Sequence, residues 1–128
     1  MIVVDSSALL AILLDEEAAA SCQQVLSVED SLLIPAASLT EMLIVAAGKD
    51  MFDAMQAMLA ALQPTIVPLT ESRARAAAQA YGRFGKGIHA AGLNFGACFA
   101  YALAREHDTP LLFVGDDFAQ TDVTPVLS

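Results

Sequence analysis

The sequence predicts an α/β domain of three layers (α/β/α), with helices covering both faces of a short, mainly parallel sheet. Short apolar runs rich in β-branched residues alternate with longer segments of helical period, as they do where strands are joined through crossover helices. Those runs are apolar at consecutive positions rather than alternate ones, so the strands are buried on both faces. At 128 residues, 56% apolar and only 16% charged, the chain has the size and composition of one packed domain. No linker, repeat or low-complexity stretch divides it, and residues 1–128 read as a single unit.

In chain order, IVVD (2–5) is the first strand and ends in an acid. Ser6 and Ser7 are N-cap candidates for an apolar helix running to about Leu14. Residues 16–27 read as a second helix, opened by Asp15, Glu16 and Glu17, whose charge suits the positive end of its dipole. SLLIP (31–35) is the second strand, stopped by Pro35. Ser38 caps a helix to about Gly48, and Asp50 caps another over 51–63. The latter carries Met51, Met55 and Met58, which read as core. TIVPL (65–69) is the third strand, and Thr70 caps a long alanine-rich helix to about Phe84. A glycine-rich loop, 85–92, carries His89, which reads as a surface residue. Asn94 caps the next helix, from Phe95 to Arg105. LLFVG (111–115) is the fourth strand, and TDVTPVLS adds a weak edge strand at the end.

The formal net charge is −9, which speaks against general adhesion to nucleic acid. Yet no acid occurs from Ser72 to Arg105, and that stretch holds Arg73, Arg75, Arg83, Lys86 and Arg105, five of the six basic residues. A local basic rim on an acidic molecule is expected. No apolar run reaches the roughly 20 residues needed to span a bilayer, so no membrane association is expected. The N-terminus lacks the basic leader of a secretory signal, and Cys22 and Cys98 have no metal-ligand spacing. Both point to a cytoplasmic protein with two buried, reduced thiols.

In an open parallel sheet, ligands bind at the carboxyl ends of the strands. Asp5 ends the first strand, Asp116 and Asp117 follow the fourth, and Glu41 lies early in the helix after the second. Carboxylates gathered in one cleft repel one another and hold protons unless a cation neutralises them. An all-oxygen set suits Mg²⁺ or Mn²⁺, which activates water for attack on a phosphodiester. Simpler roles compete: Glu41 completes a capping box with Ser38, and Asp116-Asp117 reads as a turn. Asp5 has no such alternative, because an acid closing a buried strand is costly without a partner.

Four blocks in order, IVVDSSALLAILLDE, SLTEM, GLNFG-CFAYALA and LLFVGDDFAQTD, resemble the PIN-domain ribonucleases of the VapC toxin type, across nearly the whole chain. The resemblance implies a PIN-like α/β/α domain, usually a homodimer. It implies acids that bind Mg²⁺ or Mn²⁺ for RNA cleavage, and inhibition by a cognate antitoxin protein lying across the groove. Carried over by position, the family acids fall on Asp5, on Glu41 and within the Asp116-Asp117 pair. Ser6, Asn94 and Asp122 match polar positions near the site. Arg83 and Lys86 are the candidate RNA contacts.

One family acid is missing. It belongs after the leucine, asparagine, apolar residue and glycine of LNFGA, where this chain has Ala97. Ile88 and Ala90 likewise replace a basic residue and a proline common in relatives. Asn94 still caps the helix and alanine is a good helix former, so the fold is expected to survive while metal affinity and catalysis fall. Two functions are therefore expected: a metal-dependent ribonuclease toxin attenuated by Ala97, or a catalytically inactive PIN scaffold that dimerises and binds an antitoxin. A nucleotide-binding domain is disfavoured, because VVDSSAL stands where a glycine-rich phosphate loop would follow the first strand.

Overall fold

Strands too short to be stable alone are held here by helices packed on each face. The computed structural model describes residues 1–127. Its elements are β1 (Ile2–Val4), α1 (Ser6–Leu13), α2 (Ala19–Val28), β2 (Leu32–Pro35), α3 (Ala36–Gly48), α4 (Phe52–Leu62), β3 (Thr65–Val67), α5 (Glu71–Phe84), α6 (Phe95–Glu106) and β4 (Leu111–Leu112). The sheet is parallel throughout, in the order β3-β2-β1-β4. Val3 of β1 pairs with Leu33 on one side and Leu111 on the other.

The pleat divides the core. Successive side chains of a strand point to opposite faces, and the buried residues separate accordingly. Val3, Leu33, Val67 and Leu111 pack against residues of α5 and α6, including Ala80, Phe84, Tyr101 and Leu103. Ile2, Val4, Leu32, Ile34 and Leu112 pack on the other side, with Leu9, Cys22, Met42 and Met55 from the first four helices. Helices thus cover both faces, as expected. No helix among the described residues is long and apolar enough to cross a membrane.

The caps differ from expectation at several helices. Asp5, not Ser6 or Ser7, caps α1, with its side chain accepting from Ser7 N. Asp15 and Asp50 open no helix; with Gln63 and Asp108 they take positive φ, from 48° to 57°, just beyond the ends of α1, α3, α4 and α6. Aspartate and asparagine tolerate this left-handed conformation better than most residues, which is why these positions stop helices. The second helix accordingly starts at Ala19, with Glu16 and Glu17 in the preceding turn. Thr70 and Asn94 cap as expected, accepting from Arg73 N and Ala97 N.

The helix after β2 corrects the capping-box alternative for Glu41. Pro35 is the N-cap of α3, and the helix starts at Ala36, two residues before Ser38. Ser38 is fully buried, and its hydroxyl has no hydrogen-bond partner. Glu41, a turn and a half into the helix, is left free for another role. At the far edge, β4 is shorter than expected because Val114 N leaves the ladder to donate to Ser7 Oγ at 3.0 Å. The expected terminal edge strand reduces to one bridge between Leu111 and Pro125, and Ser128 lies outside the described residues.

A buried hydroxyl without a partner carries its desolvation cost uncompensated. Ser38→Ala is therefore expected to leave the protein as stable as before or about 1 kcal/mol more stable in urea denaturation. A loss of similar size would reveal a partner for the hydroxyl.

Candidate active site

With β2 on one side of β1 and β4 on the other, connections leave the carboxyl end of β1 in opposite directions, and a crevice opens there. A cavity of about 160 Å³ occupies this place, lined by Asp5, Ser6, Glu41, Asn94, Ala97 and Asp117 among others. Residues far apart in sequence meet here because β1, α3, α6 and the turn after β4 all present their ends to one edge.

Asp5 is the deepest of them, 5% exposed. Its Oδ2 accepts from Ser7 N at 3.1 Å and from Ser7 Oγ at 2.6 Å. Burial pushes the carboxyl up to about 6; the Ser7 bonds oppose that rise, and the nearby Glu41 charge adds to it. Ser7 Oγ also accepts from Val114 N. One hydroxyl therefore ties the end of β4 to the acid at the end of β1. Sequence reading makes Ser7 only an N-cap candidate; the overlooked signal is a serine two residues after a helix-capping aspartate.

Glu41 reaches the cavity from α3, and its Oε1 accepts from Ser6 Oγ at 2.7 Å. Ser6 is buried as the first residue of α1, so it fixes this carboxylate from across the cleft. Asp117 lines the same cavity, whereas Asp116 lines a separate groove with Glu16, Glu17, Phe113 and Val114. Asn94 lines the cavity while its Oδ1 accepts from Ala97 N at 2.9 Å. Ala97, third residue of α6, contributes a methyl group to the cavity wall where an acid would face the other three.

The remaining expected residues lie elsewhere. Asp122 accepts a short hydrogen bond from Tyr101 OH and lies 3.4 Å from Arg83 and 4.0 Å from Arg105. It does not line the cavity, because α5 and α6 hold it on another side. The Tyr101 bond, with the two arginines, keeps the Asp122 carboxyl below its usual range, and burial pushes the tyrosine up to about 12. Arg83 lines an open groove between α5 and α6 together with Arg73 and Arg105. Lys86 and Ile88 are exposed in the loop before α6. His89 is exposed too, and its Nδ1 accepts from Ala91 N.

The donors fit Mg²⁺ or Mn²⁺ in kind, since carboxylate and hydroxyl oxygens are what a hard cation takes. They fall short in number. Among the described residues no three His, Cys, Asp or Glu side chains are grouped closely enough to hold a metal ion. Ala97 is the position in the wall from which a further carboxylate would come.

Comparison with known proteins adds to this geometry. The PIN domain family matches residues 2–123. The ribonuclease VapC28 of Mycobacterium tuberculosis is 40% identical over 129 residues, which cover 98% of this chain and 97% of that protein. Among solved structures, VapC20 of M. tuberculosis, described as a toxin cleaving the sarcin-ricin loop, superposes with a TM-score of 0.80 at 14% identity, covering 98% of each chain. A toxin–antitoxin complex from Klebsiella pneumoniae gives 0.71 at 15% identity, covering 95% of this chain and 93% of that one. At such identities these two structures establish likeness of fold.

The buried acid sets a pH dependence. The folded Asp5 carboxyl keeps its proton up to about pH 6, while the unfolded one loses it near 3.8. Between those values the folded state holds more protons, so stability falls as pH rises through the window. Lifting the carboxyl this far corresponds to about 3 kcal/mol. With chelator present, Asp5→Asn is expected to gain on the parent by about that amount between about pH 3.5 and pH 7.5. Urea denaturation of both chains at each pH measures it, and a constant difference would mean that burial does not burden the carboxylate.

Proposed function

The chain belongs to the PIN-domain family and, within it, to the VapC ribonucleases; from that membership we propose that it is the toxin of a toxin–antitoxin pair, with a divalent-metal ribonuclease site weakened at Ala97. The convergence of Asp5, Glu41 and Asp117 on one cavity at the end of β1 carries the reading. Asp5, Glu41 and Asp117 would contribute ligands for Mg²⁺ or Mn²⁺ but need a further carboxylate at position 97 to complete the set, while Asp116 lines the neighbouring groove. When bound, such an ion stabilises charge on a phosphodiester oxygen and makes its water a better nucleophile.

The protein's own contribution is positioning. Ser7 fixes Asp5 through two hydrogen bonds, and Ser6 fixes one oxygen of Glu41. Asn94 builds the start of α6, from which the missing acid would project. Without a carboxylate at 97, too few donors surround an ion to hold it at a defined point, and placement errors of an ångström are costly in catalysis. On this reading the attenuation comes from the missing ligand at 97, and the fold is retained.

An antitoxin partner is supported by the likeness to the toxin–antitoxin complex from Klebsiella pneumoniae. The groove of Glu16, Glu17 and Asp116 over Phe113 and Leu127 adjoins the cavity through Val114, and its charge and apolar floor suit a basic, partly apolar segment. Homodimerisation has support in Ile44 and Phe95, exposed at 66% and 76%, which flank an apolar depression with Phe99. Arg83, in the groove it shares with Arg73 and Arg105, and the exposed loop residue Lys86 are the candidates for contact with RNA phosphates. We place the chain in the cytoplasm. The second reading, an inactive scaffold that only dimerises and binds an antitoxin, is favoured by the lack of three grouped ligands among the described residues.

Ala97→Asp separates the two. It is expected to produce RNA cleavage that requires Mg²⁺ or Mn²⁺ and is abolished by chelator, at least about tenfold above the parent chain. A purified, folded variant with no gain would favour the scaffold. In that restored background Asp117→Asn should abolish cleavage and Asp116→Asn should leave most of it; the reverse would exchange their roles.

A further inference from the structure

Gly96 is the second residue of α6, a position that asks nothing of a glycine. Its φ is not among the positive values, and in a helix alanine is more stable than glycine because it loses less backbone entropy. What bars a side chain is Glu41. A Cβ added at Gly96 would stand 2.6 Å from Glu41 Oε2 and 2.9 Å from both Cδ and Oε1. Gly82, within α5, makes the contrast: a Cβ there meets nothing within 4 Å.

From these contacts we infer that Gly96 is the positioning residue for the Glu41 carboxylate, with Glu41 taken as a site acid as proposed above. The carboxylate is gripped from two helices. Ser6 Oγ holds Oε1 from α1 at 2.7 Å, and the bare Cα of Gly96 stands against the carboxylate from α6. The clashing atoms are the far end of a flexible side chain, so a methyl group at 96 is accommodated by moving the carboxylate, not the backbone. Displaced, Glu41 loses its Ser6 bond and its place in the cavity while the fold remains. The same small residue lets the first turn of α6 approach α3 closely enough for position 97 to share the cavity with Glu41. Gly96 thus acts on ligand geometry through a neighbour.

The test compares the parent, Gly96→Ala and Gly82→Ala chains, each with and without Ser6→Ala, by thermal melting in chelator. Gly96→Ala is expected to melt at or above the parent. Ser6→Ala should lower the melting temperature of the parent and of Gly82→Ala, yet leave Gly96→Ala unchanged, because there the bond to Glu41 is already broken. In the Ala97→Asp background, Gly96→Ala should weaken Mn²⁺ binding, followed by electron paramagnetic resonance, by about tenfold or more, and Gly82→Ala should not. An undiminished Ser6 effect in Gly96→Ala, a melting temperature well below the parent, or unchanged Mn²⁺ affinity would each overturn the assignment. If Ala97→Asp itself binds no Mn²⁺, the metal-site reading fails, and the Ser6 comparison still decides the role of Gly96.

Discussion

A single buried carboxylate organises the edge of the sheet where the cavity opens. Asp5 closes the central strand, starts the first helix and lies at the floor of the cavity, all at 5% exposure. An ionised acid in that position is costly, and its carboxyl is driven up to about 6. The structure offsets the cost locally through Ser7, whose amide and hydroxyl both donate to one oxygen. Because the same hydroxyl accepts from Val114 N, the exit of β4 is set by the acid at the end of β1. The turn carrying Asp117 follows directly. Arrangement of the remaining site thus depends on how this one charge is tolerated.

The second acid is held by a different device. Glu41 is kept in place by a hydroxyl from α1 on one side and by a missing side chain on the other, where α6 begins. Three hydrogen bonds from adjacent serines, two to Asp5 and one to Glu41, let one short helix serve both carboxylates. Ala97 relieves the like-charge repulsion that a further acid would add.

The basic segment illustrates how a linear reading of charge misleads. Five basic residues in one quarter of the chain suggest a rim for an anionic partner, but folding brings acids to most of them. Arg73 pairs with Glu106 at 3.0 Å, Arg75 with Glu71 at 2.9 Å, and Arg83 with Asp122 at 3.4 Å. These pairs are exposed and contribute little to stability. They do reduce the field along the α5–α6 groove. Asp122, matched by sequence to a position near the site, pairs with this cluster and does not line the cavity.

The layered α/β class, the strand positions and the core faces were legible in the sequence because hydrophobic period and strand length are local properties. So were the caps Thr70 and Asn94, and the acids Asp5 and Glu41 as members of one edge. Helix starts at Ser38 and Asp50 were misread, since a serine or aspartate can cap a helix, end one or lie inside one, and only its backbone angles and neighbours decide which. Tertiary structure alone put Asp117 and Asp116 in different depressions, paired Asp122 with Tyr101 and Arg83, made Ser7 a tether and set Gly96 against Glu41. Each of those depends on a contact between segments tens of residues apart, and the direction of a side chain across such a gap is set by how helices pack on the sheet. Composition and period carry no record of it.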